Sequence, residues 1–89
     1  MKEFSKSRPK GSRNKLNVKS LFLINDDYNS FDYVVDCLSA ICDQDPIQAE
    51  QCAILTHYKG SCEIMLGQDN DLLPVKEDLS LYGLNVEII

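Results

Sequence analysis

The run Leu21-Phe22-Leu23-Ile24 stops abruptly at Asn25-Asp26-Asp27, and a helical pattern begins within a few residues. No other feature constrains the fold as much. A short continuous apolar run bounded by polar residues reads as a strand over residues 19–25, buried on both faces. Beyond it, Phe31, Val34, Val35, Leu38, Ile41 and Cys42 recur at 3.6-residue spacing. They make an amphipathic helix capped by Asn29 or Ser30, with Asp32 and Asp36 favouring its positive end. A strand that ends in an amide and two carboxylates aims several oxygen acceptors at one small volume. Such a volume suits a cationic group with several N–H donors, such as an amine.

Asp45-Pro46 announces a second helix, with Asp45 as N-cap and proline at the first helical position. It is expected to run to Lys59 and to stop at Gly60. Cys62, Ile64 and Leu66 alternate as a strand, and Asp69-Asn70-Asp71 reads as a polar turn and cap. A third helix is expected from Leu72 to Tyr82, closed by Gly83. The alternation Leu84-Asn85-Val86-Glu87-Ile88 makes a last strand. The order β-α-α-β-α-β, with three strands and helices on one face, predicts a two-layer α+β domain.

Charge divides the 89 residues unevenly. Residues 1–20 hold seven Lys and Arg against Glu3, a net +6, whereas residues 21–89 hold Lys59 and Lys76 against thirteen acids, a net −11. Residues 1–18 lack periodicity and carry Pro9 and Gly11, so they are expected to form a flexible basic arm. Residues 19–89 then form one acidic domain. A basic arm reads either as a solvated tail or as a contact to an acidic partner. Nucleic acid is not expected as a partner. Its recognition needs a folded basic face or stacking aromatics, and the arm's only aromatic is Phe4. No stretch approaches the roughly 20 apolar residues of a membrane span, and residues 1–20 lack an apolar run of secretory length. No membrane partner is therefore expected, and the cytoplasm is the expected location.

Asp26-Asp27 admits three readings: a turn with capping, a metal site, or an acid/base pair. Adjacent carboxylates on extended chain point to opposite sides, which disfavours the acid/base pair. A divalent ion requires further oxygen ligands that the sequence does not supply nearby. The single histidine, His57, lies about 140° around the second helix from Cys52, so the two do not form a nucleophile–base couple. Cys37, Cys42, Cys52 and Cys62 include no C-x-x-C pair and read as reduced thiols within regular segments. No metal, cofactor or catalytic activity is expected.

The text Leu23-Ile24-Asn25-Asp26-Asp27-Tyr28, then Phe31-Asp32-Tyr33-Val34-Val35-Asp36-Cys37-Leu38, Gln48-Ala49-Glu50 and His57-Tyr58-Lys59-Gly60, resembles the ClpS adaptor family. The 32-residue spacing from Asn25 to His57 agrees with that family. Three positions depart from it: Ser30 where proline is frequent, Phe31 where methionine is common, and Thr56 in place of an aliphatic residue.

The resemblance implies a β-α-α-β-α-β domain behind a flexible arm. It implies a monomeric adaptor that binds N-degron substrate proteins, those beginning with Leu, Phe, Tyr or Trp. The adaptor would dock on the N-terminal domain of a Clp AAA+ ATPase and deliver these proteins for degradation. Asn25 and Asp27 would bind the free α-amino group, Asp26 would assist, and His57 would complete the ring. Phe31, Ala53, Thr56 and Leu84 would line a hydrophobic pocket for the first side chain. The alternative is a ClpS-like interaction domain that modulates the ATPase without recognising N-degrons.

Overall fold

Strand β1 (Lys19–Ile24) is the centre of the sheet in the computed structural model, which describes residues 17–89. The expected arm over 1–18 therefore lies outside the described residues except for Asn17 and Val18. Helix α1 (Phe31–Ile41) and helix α2 (Pro46–Lys59) follow, then strand β2 (Ser61–Gly67), helix α3 (Asp69–Leu81) and strand β3 (Val86–Ile88). The sheet order is β2-β1-β3, and both pairings are antiparallel. The chain is thus the expected two-layer α+β fold.

Leu21 and Leu23 of β1 are buried among Leu38 of α1, Ala49 and Cys52 of α2, and Leu72 and Leu79 of α3. All three helices thus cover one side of the sheet. The expectation that β1 is buried on both faces is corrected. Its alternate residues Phe22 and Ile24 face away from this core and stay only half-buried. Burial of each core leucine contributes about 1.5–3 kcal/mol.

Local chemistry explains the element ends. Ser30, rather than Asn29, caps α1, its hydroxyl accepting the Tyr33 N–H at 3.2 Å. Asp45 caps α2 through the Gln48 N–H at 2.8 Å, with Pro46 in the first turn. Gly60 ends α2 at φ +95°, a left-handed conformation that glycine adopts without a Cβ penalty.

Helix α3 starts three residues earlier than expected, because Asp69-Asn70-Asp71 is its first turn rather than a preceding loop. Asp71 accepts the Gln68 backbone N–H at 3.1 Å, so a carboxylate satisfies an otherwise unpaired donor. The last strand is shorter than expected, Val86–Ile88. An extra residue in β2 shifts its register against β1 between Leu21 and Phe22, where Leu21 faces Met65 and Phe22 faces Glu63. The shift brings Met65 against the core and leaves Leu66 59% exposed, breaking the simple alternation of Cys62, Ile64 and Leu66.

Candidate functional site

The left-handed turn at Gly60 assembles the site. It reverses the chain from α2 into β2, and β2 pairs with β1 so that Ser61 stands opposite Ile24. The Asn25 N–H then donates to the Gly60 carbonyl at 2.9 Å. The C-terminal turn of α2, which carries His57, is thereby brought beside the end of β1, which carries Asn25. Thirty-two positions apart in sequence, the two side chains line one cavity.

That cavity measures about 100 Å3 and is lined by Leu23, Ile24, Asn25, Asp26, Asn29, Phe31, Val34, Ala53, Thr56 and His57. Phe31 and Val34 lie one turn apart on α1, and Ala53, Thr56 and His57 share a face of α2. The lining combines polar side chains, Asn25, Asp26, Asn29 and His57, with apolar ones, Leu23, Ile24, Phe31, Val34 and Ala53. Thr56 is buried, and its hydroxyl donates to the Cys52 carbonyl at 2.8 Å, so its one O–H is already engaged. His57 is exposed at the mouth and packs edge-on against Tyr58, ring centroids 5.0 Å apart.

Six of the eight residues singled out from the sequence line this cavity: Asn25, Asp26, His57, Phe31, Ala53 and Thr56. Asp27 is exposed on the same loop and is not among its lining residues. Leu84 is not among them either; it is buried in the core instead, with 4% of its surface exposed. Leu23, Ile24, Asn29 and Val34 line the cavity and were not singled out. Leu23 and Ile24 precede Asn25 in the same strand, and Val34 follows Phe31 by one turn, so helical spacing was the available signal for it.

Asn29 had no such signal. Its side-chain amide donates to Asp26 Oδ2 at 3.0 Å and to the Gly83 carbonyl at 3.0 Å, 54 residues away. Asp26 Oδ1 also accepts the backbone N–H groups of Tyr28 at 2.9 Å and Asn29 at 3.0 Å. The loop is folded around the Asp26 carboxylate and tied by Asn29 to the turn after α3. Burial raises the Asp26 carboxyl, but the Asn29 and Tyr28 N–H groups and the Asn29 amide outweigh it, and the net shift is below the ordinary 3.8.

A depressed folded pKa means that the ionised form stabilises the fold above 3.8, and that this contribution is lost as pH falls through the lower folded value. Asp26→Ala is therefore expected to lower denaturant resistance near neutral pH, and the gap from wild type should close in strong acid. A gap that stays constant across that titration would show that Asp26 does not hold the loop as a carboxylate.

Cys37 and Cys52 are buried, Cys42 and Cys62 are half-buried, and all four are free thiols. Burial pushes the Cys42 thiol up to about 11, aided by neighbouring Cys37, and pushes Cys52 up as well, with Cys62 adding to the shift. Such thiols stay protonated and are poor nucleophiles at neutral pH. Among the described residues, no helix is long and apolar enough to cross a membrane.

A cleft lined by both oxygen acceptors and apolar side chains defines a binding domain for an amphipathic group bearing N–H donors. The profile of the ATP-dependent Clp protease adaptor protein ClpS matches residues 15–86. The chain belongs to the ClpS family, a family of protease adaptors that interact with Clp ATPases and substrates rather than of catalysts. Among solved structures, it is similar to Agrobacterium tumefaciens ClpS2 bound to L-phenylalaninamide. The TM-score is 0.71 at 20% identity, over 82% of this chain and 98% of that one. At that identity the likeness speaks for the fold. No curated protein matches the chain.

Proposed function

We propose that this protein captures substrates by a free N-terminal Leu, Phe, Tyr or Trp and delivers them to a Clp AAA+ unfoldase-protease. The observation that carries the reading is the mixed cleft, in which Asn25, Asp26 and His57 line one cavity together with Phe31, Val34, Ala53 and Thr56. An α-ammonium group donates three N–H bonds. The Asn25 side-chain carbonyl, a loop carboxylate and a His57 ring nitrogen are acceptors for them. Asp26 is committed to the loop through three hydrogen bonds and acts mainly as a negative charge that orders it. Asp27, exposed beside it, supplies the more available carboxylate. Agrobacterium ClpS2 binds L-phenylalaninamide, a compound with a free α-amine next to a benzyl side chain. That combination of an amine and an apolar group matches the mixed polar and apolar lining of the cleft.

Residues 1–18 serve as an arm ahead of the adaptor domain 19–89, and the acidic domain docks as a monomer on the N-terminal domain of the ATPase. Free thiols throughout suit a reducing compartment such as the cytoplasm.

The test is reconstituted degradation. With a Clp unfoldase and its peptidase, the adaptor should accelerate turnover of a reporter beginning with Leu, and not of one beginning with Ala. Altered ATPase activity with equal turnover of both reporters would instead support a modulator that does not recognise N-degrons.

A further inference from the structure

We infer that the basic N-terminal segment, residues 1–16, folds back over the uncovered face of the sheet and is held there by Glu63 and Glu87. The three helices cover one side of the sheet, and residues directly opposite each other on paired strands share a face. Phe22 stands opposite Glu63 of β2 and opposite Glu87 of β3, so a half-buried aromatic ring lies between two exposed glutamates on the other side. With strands about 5 Å apart, the two glutamate backbones are about 10 Å from each other. Two residues back along β1, Ser20 faces Leu66, which is 59% exposed. On its other side Ser20 exchanges both backbone hydrogen bonds, at 2.9 and 2.8 Å, with Ile89, which is 66% exposed. The face thus joins apolar side chains to two acids. Among the described residues no lysine or arginine lies on it, because Lys19 is drawn to Asp69 of α3 at 3.3 Å.

The chain's own first residues fit this face by charge, by apolar content and by where they join the domain. Residues 1–16 hold six Lys and Arg against Glu3, a net +5, and cations complement Glu63 and Glu87. Phe4 and Leu16 supply apolar side chains to cover Phe22, Leu66 and Ile89. The segment joins the domain just ahead of β1, at the Leu66 and Ile89 end of the face, and the chain turns at Asn17. Sixteen residues span up to about 55 Å, more than twice the roughly 20 Å length of β1. Covalent attachment gives the segment an effective concentration on the order of millimolar, so ion pairs that are weak as separate surface contacts can hold it. A separate protein or a second copy meets the same face without that advantage. Phe22, Glu63 and Glu87 lie outside the cleft, so the contact is independent of what the cleft binds.

The test is nuclear Overhauser spectroscopy of the isotope-labelled full chain. At about 0.1 M salt, the Phe22 ring protons should show contacts to side chains of residues 1–16. Those contacts should vanish at about 1 M salt, where the screening length falls from about 10 Å to about 3 Å. They should also vanish in Glu63→Gln/Glu87→Gln, whose amides match the carboxylates in shape and should leave the spread of backbone amide shifts unchanged. The control Glu50→Gln/Glu77→Gln removes exposed carboxylates from α2 and α3 and should keep the contacts. Dilution by about tenfold should leave the Phe22 shifts where they are, because the contact lies within one chain. No contact between Phe22 and residues 1–16 at low salt would overturn the inference. So would contacts that survive high salt or the Glu63→Gln/Glu87→Gln change, or that the control loses equally. Shifts that move on dilution would overturn it too, and would make a second copy the occupant.

Discussion

Leu38→Ala is expected to destabilise the fold by about 2–5 kcal/mol, a large share of the roughly 5–15 kcal/mol that holds a small domain together. Leu38 is fully buried on α1 and meets β1, α2 and α3 in one cluster. Its replacement leaves a cavity that neighbours on a sheet and two helices cannot close. For a domain of this size, each kcal/mol lowers Tm by about 4–8 °C, so a drop of at least about 8 °C should appear. Leu81→Ala is the control: Leu81 lies on α3 but is 82% exposed, and its loss should stay within about 0.5 kcal/mol. Comparable melting of the two variants would mean that the core is not centred where the fold places it. Because α1 also carries Phe31 and Val34, Leu38→Ala should weaken ligand binding as well, through partial unfolding.

Asn25→Ala should weaken binding of a peptide with a free N-terminal Leu by about 10–150-fold, the equivalent of one charge-assisted hydrogen bond of about 1.5–3 kcal/mol. The substitution leaves the Asn25 backbone bond to Gly60 intact, so the fold should not change. His57→Ala should lose a similar factor. Isothermal titration of both variants checks these losses. A variant that binds as wild type does would remove its residue from the site.

The readable parts of this fold are those set by short-range chemistry. Asp45-Pro46 and Gly60 mark both ends of α2 because a cap, a fixed φ and a left-handed turn are properties of neighbouring residues. The spacing of Phe31, Val34 and Leu38 gave α1 for the same reason. Where two local uses of a residue compete, the reading slipped. Asp69 and Asp71 suit a turn and a first helical turn equally, and the Gln68 N–H that Asp71 accepts decides between them. The half-exposed state of Phe22 depends on which face the helices choose, a tertiary matter. The register shift in β2 that turns Leu66 outward has no signature in its apolar alternation.

The site divides in the same way. Asn25 and His57 are visible as polar residues at the ends of predicted elements, and their meeting follows from pairing β2 with β1. The link from Asn29 to Gly83 crosses 54 residues and joins two loops, so no periodicity reports it. It matters because it fixes Asp26, and with it part of the polar lining of the cleft. Leu84 shows the converse: an apolar residue after a glycine turn fits a pocket wall or a core in sequence, and burial against α3 and β1 places it in the core.

The central claim is that the cleft reads a free α-amino group. Its most direct measurement is the affinity of one Leu-initiated peptide, titrated by anisotropy against the full chain with its amine free and with it acetylated. Acetylation removes the positive charge and two of the three N–H donors while leaving the side chain untouched. The free peptide should bind at about micromolar affinity and the acetylated peptide at least about 100-fold more weakly. Equal binding of the two would contradict the claim.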